Sequence, residues 1–223
     1  MKYTNNALNI LTAKSYKGIG NAWIVKNLKG NEDIETIVDL LNKSLKQAPT
    51  NTDEFEQLKN NFEKKILEKL GDFCDGFVAL GDENFPRHRG NVKESDQPVF
   101  LFYKGNIDLL SIDNKNISVI GLLNPEGDIE KREREIVAQL VKYGATIVSG
   151  LALGCDSISH QQALDSNGHT VAILPSPLNN ILPARNKDLA SKIVDGGGLL
   201  VTEYGSDFKS HMELSSRYKE RDR

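Results

Sequence analysis

The residues whose spacing carries the most chemistry lie in one run, Ala145 to His160, which reads ATIVSGLALGCDSISH. A short apolar stretch breaks at Ser149 and Gly150 into a turn of Leu151, Ala152 and Gly154, and a polar helix start follows with Asp156 and His160. Glycine lacks a Cβ, so backbone can approach an anion closely at such a turn. The unpaired N–H groups that open the next helix point at the same place. Phosphate binding is the chemistry this arrangement suits. The spacing is neither the dinucleotide pattern G-x-G-x-x-G nor a P-loop, because no Gly-Lys-Ser/Thr follows.

Two side chains in the run could act on the turn or on its guest. Asp156 can cap the helix by accepting N–H bonds from two or three residues on, worth about 1 kcal/mol, or it can contact the ligand. His160 stands one helical turn later on the same face, where it could hold Asp156 or a bound phosphate. Ser149 lies nearby, but no G-x-S-x-G elbow accompanies it. The reading is therefore a loop that binds and does not cleave, with no catalytic residue. Cys74 and Cys155 are the two thiols, and without a C-x-x-C or Cys/His cluster the chain implies neither a metal nor another cofactor. Cys155 reads as a small buried residue.

The elements that must position this run follow from hydrophobic spacing. From residue 1 to 70 apolar residues recur at three and four positions, as in Leu8, Ile10 and Leu11 or Phe55, Leu58, Phe62 and Ile66, which predicts a small all-α module. Within it, Tyr16 to Ala22 is either the turn of a helix-hairpin-helix or an ordinary helix–helix turn with a glycine C-cap. Residues 71–115 read as a connector with one strand, Val99 to Tyr103. From 116 to 223, strands at Ile117–Ile120, Thr146–Val148, Thr170–Leu174 and Leu199–Glu203 alternate with helices near Ile129–Tyr143, Ser157–Asp165 and Arg185–Val194. That alternation makes βαβ units, hence an α/β fold with a Rossmann-like parallel sheet flanked by helices. Ligands of such sheets bind at the carboxyl ends of the strands.

The run around Gly150 resembles the signature S-G-x-A-x-G-x-D-x-x-x-H of the DprA/Smf family of DNA-processing proteins. Other segments match that family in order: Phe85-Pro86, Gln97 to Asn106, Gly168 to Leu174, Leu182-Pro183 with Asn186, Gly197 to Tyr204, and Arg217 with Arg221-Asp222-Arg223. The resemblance implies a cytoplasmic, non-catalytic, dimeric protein that binds and protects single-stranded DNA in DNA uptake or recombination and helps load a RecA-type recombinase. The candidate cations are Lys104, Arg185, Lys187, Arg217, Lys219, Arg221 and Arg223, with Asn186 and Glu203 near the groove. The resemblance also implies that Arg221-Asp222-Arg223 heads a helix and that the family core runs on past the end of this chain. In the family, the turn after the first strand carries an arginine. Here it reads GLLNPEGD from Gly121 to Asp128, without a cation, and Glu126, Asp128 and Glu130 oppose an anion there.

Composition bounds these expectations. With 39% hydrophobic and 26% charged residues, 223 residues can fold around a sizeable core. No stretch approaches the ~20 apolar residues of a membrane span. A net charge of −3 requires any nucleic acid to be met by a local basic surface. The alternative reading is a nucleotide-binding enzyme or sensor, related to phosphoribohydrolases. That group carries P-G-G-x-G-T-x-x-E, and Gly196-Gly197-Gly198 with Glu203 is only a faint echo of it.

Overall fold

The computed structural model describes residues 1–45, 48–87 and 92–222. The chain divides into two compact units, Met1–Leu101 and Phe102–Asp222.

In the first unit, four helices form where the apolar spacing places them: α1 (Asn5–Lys14), α2 (Asn21–Asn27), α3 (Ile34–Ser44) and α4 (Thr52–Leu70). Three begin with an oxygen-bearing cap: Thr4 accepts from Ala7 N–H, Asp33 from Thr36 and Asn51 from Glu54, each satisfying an otherwise unpaired amide. Their inward faces bury Leu8, Ile10, Ile24, Ile37, Leu41, Phe55 and Leu70. The α1–α2 turn departs from the glycine-capped form, because Ser15 caps α1 in a right-handed conformation. Gly18, at φ +94°, turns the chain three residues further on. Strand β1 (Gly76–Ala79) was not anticipated. Four apolar residues give too little periodicity to separate a buried strand from a loop.

Strand β2 (Phe100–Gly105) follows, and within the second unit the strand order is β2-β6-β5-β4-β3. The second unit holds β3 (Asn116–Ser118), α5 (Gly127–Lys142), β4 (Thr146–Ser149), α6 (Cys155–Asp165), β5 (Thr170–Leu174), α7 (Lys187–Asp195), β6 (Leu199–Thr202) and α8 (His211–Arg221). Strands β3, β4, β5 and β6 are mutually parallel, with Ile147 opposite Ile117 and Ala172 opposite Leu200, while β2 runs antiparallel along β6. This is a Rossmann-like arrangement. Successive β-α-β crossovers step across the sheet in one direction, so right-handedness puts α5, α6 and α7 on one face. Val137, Ile147 and Ala163 form the core between α5, α6 and β4, joined by Val119, Leu140 and Val141.

Arg221 is the last residue of helix α8 and Asp222 stands in its capping position. A box of side chains fixes its start: Ser210 accepts from Glu213 N–H at 3.2 Å, and Glu213 accepts in return from Lys209 N–H at 2.8 Å.

Candidate functional site

The β4–α6 loop sits at the carboxyl edge of the parallel strands, the edge at which open α/β sheets bind ligands. Its shape is set by two left-handed residues. Leu151 has φ +59° and Gly154 φ +76°. The left-handed conformation costs a leucine about 1 kcal/mol, and complete burial of the side chain, worth about 2 kcal/mol, more than offsets it. At Gly154 no side chain is tolerated, because a Cβ would collide with the Leu122 and Leu123 carbonyls. Cys155 N–H donates to Leu122 O at 2.9 Å, which ties the loop to the turn after β3.

The loop's backbone is held largely by its own neighbours, and this revises the roles of several residues. The Asp156 carboxylate accepts from Gly150 N–H and Ala152 N–H, both at 3.2 Å, so it reaches back into the loop and does not cap α6. Those two amides, with that of Cys155, are therefore engaged internally and are not free for phosphate. Asn186 is buried and donates to Leu151 O at 2.9 Å and Ala152 O at 3.1 Å, bracing the loop from the segment before α7. Arg221 donates to Gly150 O and approaches Asp156 at 3.8 Å, with only 10% of its side chain exposed. Ser149 donates its hydroxyl to Val119 O at 2.7 Å. Among the described residues, the half-buried Leu153 and Gly154 amides, at the positive end of α6, have no acceptor.

His160 does not hold Asp156. It is fully buried and its Nδ1 lies 2.6 Å from Thr170 Oγ1. Thr170 spends its one hydroxyl proton on Ile147 O at 2.8 Å, so it accepts from an Nδ1–H. The proton is thereby assigned to Nδ1, and Nε2 is a bare acceptor with no partner among the described residues. Burial, reinforced by the Arg221 charge, pushes the imidazole down to about 3. Thr170, a polar residue opening an apolar strand, is the signal that would have located this partner in the sequence.

The expected cations separate into distinct settings. Arg217 is buried on α8, pairing with Glu213 at 2.6 Å, donating to Ser206 O at 2.9 Å and lying over the Tyr204 ring at 4.1 Å. It fastens α8 to the end of β6 and is not available to a ligand. Lys104 stands opposite Leu200, toward the amino ends of the parallel strands, away from the loop edge. Arg185 and Lys187 flank Asn186 and are exposed, and Lys219 is exposed on α8. Glu203 is half-buried just past β6. Arg223 lies outside the described residues. The turn after β3 leads into the acidic first turn of α5, where Glu130 is taken up by Arg134 at 2.8 Å. Behind it, burial raises both the Glu133 carboxyl and the adjoining Cys155 thiol.

A one-directional run of parallel βαβ units, with a glycine-bounded loop braced by side chains at its carboxyl edge, defines a Rossmann-like α/β protein of the ligand-loop kind. The sequence narrows that class: residues 76–223 match the family model described as DNA recombination-mediator protein A, and the chain belongs to that family. It is 32% identical over 140 residues to Protein Smf of Borreliella burgdorferi, an alignment covering 62% of this chain and 43% of that protein. DNA processing protein A from Streptococcus pneumoniae has a similar fold, with a TM-score of 0.67 at 24% identity over 99% of this chain and 75% of that one. DNA processing protein A from Helicobacter pylori, whose structure was solved for its single-stranded DNA binding mode, matches with a TM-score of 0.52 at 30% identity, over 63% of this chain and 62% of that one. The chain thus spans less than half the length of the Borreliella relative. Among the described residues no helix is long and apolar enough to cross a membrane.

Proposed function

We propose that the second unit binds the sugar–phosphate backbone of single-stranded DNA at the β4–α6 loop, as a cytoplasmic DNA-processing protein that protects unpaired strands and passes them to a RecA-type recombinase. The observation that carries the reading is the bracing of the loop. Asp156 and Asn186 fix its amides and carbonyls from within, and the Leu153 and Gly154 amides are left at the start of α6. Exposed Arg185 and Lys187 flank Asn186, the residue that holds this loop. Family membership and the strand-binding neighbour from Helicobacter pylori support the same ligand. Binding without bond cleavage fits the commitments of the two groups that could have formed a nucleophile and base, since Ser149 bonds Val119 O and His160 bonds Thr170.

Fluorescence anisotropy with an oligothymidine, titrated at several salt concentrations, tests the reading. Affinity falls linearly in log–log form, and replacing Arg185 and Lys187 together by Ala lowers the slope by about 1.4, two phosphates at about 0.7 each. No binding at low salt refutes the proposal.

A further inference from the structure

The turn after β3 keeps large apolar side chains in water: Ile120, Leu122 and Leu123 are 82%, 54% and 62% exposed. Its backbone is nevertheless tightly packed. Cys155 N–H donates to Leu122 O at 2.9 Å, a Cβ on Gly154 would strike the Leu122 and Leu123 carbonyls, and a Cβ on Gly121 would strike Cys155 Sγ. The turn therefore lies directly against the start of α6, and its two leucine side chains stand exposed beside the β4–α6 loop. Clustered apolar side chains held in solvent on a fixed backbone mark a contact surface.

The charges around the turn decide what that surface meets. From Gly121 to Glu130 the chain carries no Lys or Arg, and Glu126 and Asp128 are exposed just beyond the leucines. Acidic groups in the first turn of α5 repel a phosphate. They accept an uncharged, flat, largely apolar group with N–H donors on its rim, and a nucleobase has that chemistry. A strand that sets one phosphate on the Leu153 and Gly154 amides brings its adjoining bases, and no second phosphate, to this turn.

We propose that Leu122 and Leu123 form a platform for the bases of the unpaired strand. The inference rests on strand binding at the β4–α6 loop and adds which part of the strand the turn after β3 reads. Contact with base faces tolerates any sequence, because every base has such a face. In a duplex those faces are stacked inside the helix and out of reach, so the platform makes the site selective for unpaired strands over duplex.

Fluorescence anisotropy of the full chain with an oligothymidine, and with an abasic strand of the same length and phosphate charge, separates base contact from phosphate contact. The wild type is expected to prefer the oligothymidine. The double variant Leu122→Ser with Leu123→Ser lowers affinity for the oligothymidine by about fivefold or more. It leaves affinity for the abasic strand and the salt slope unchanged, which also shows that the loop is still folded. Equal loss for both strands, or no loss for either, overturns the platform while strand binding stands, as the lowered salt slope of the Arg185 and Lys187 double variant then shows. Failure of the wild type to bind either strand at low salt refutes strand binding itself, and the platform with it.

Discussion

Buried His160 makes the second unit acid-sensitive in a window that the structure fixes. Unfolded, its imidazole titrates near the ordinary 6.5, whereas in the folded chain it is held down to about 3. The unfolded state therefore binds the proton more readily. The stability contributed by neutral His160 is fully present above pH 6.5 and is lost as the pH falls from 6.5 toward 3. Between pH 7 and pH 5 the loss from this one group comes to about 2 kcal/mol. His160→Asn keeps an N–H donor near the Nδ1 position for Thr170 but does not titrate. Native-state hydrogen exchange of the Val148 and Val171 amides, which report opening of β4 and β5, measures the effect in the unit that contains the histidine. The wild type should lose about 2 kcal/mol of protection between the two pH values, after correction for intrinsic exchange, and the variant should lose most of that dependence. Equal pH dependence in both would refute the assignment of His160 as a neutral, buried imidazole.

Three further perturbations test the loop. Asp156→Ala strands the Gly150 and Ala152 amides without an acceptor and is expected to destabilise the second unit by about 2–4 kcal/mol in urea unfolding. Gly154→Ala combines a left-handed backbone with collisions against two backbone carbonyls, and thermal melting should show a loss of several degrees or failure to fold. Gly150→Ala meets only the end of the Arg221 side chain, so it should melt much closer to the wild type while freeing that guanidinium, seen as a changed Arg Nε–H resonance.

Strands β3 to β6 and helices α5 to α7 were legible because short apolar runs alternate with longer polar segments at βαβ spacing, whereas α8 was not anticipated. Thr170–Leu174 is read to the residue as β5. Short β1 was not legible, because four buried residues carry no period. The candidate loop was found from its glycines, yet its bonding was misassigned. Local spacing makes Asp156 a helix cap, and only the folded loop turns Gly150 and Ala152 N–H toward it.

By itself, the sequence determined the alternating α/β architecture and the position of the loop, since these follow from residue type and local period, and its ordered motifs carried the family that the family-model match over residues 76–223 shows. Tertiary structure alone decided which polar groups are spent on the protein itself. Arg217, Arg221, Asn186 and His160 all read as ligand contacts along the chain, and each is instead satisfied or sealed by a partner from 4 to 71 residues away in the sequence. A buried charge or amide must find a partner, and which one it finds is a matter of distance in space that no spacing along the chain encodes.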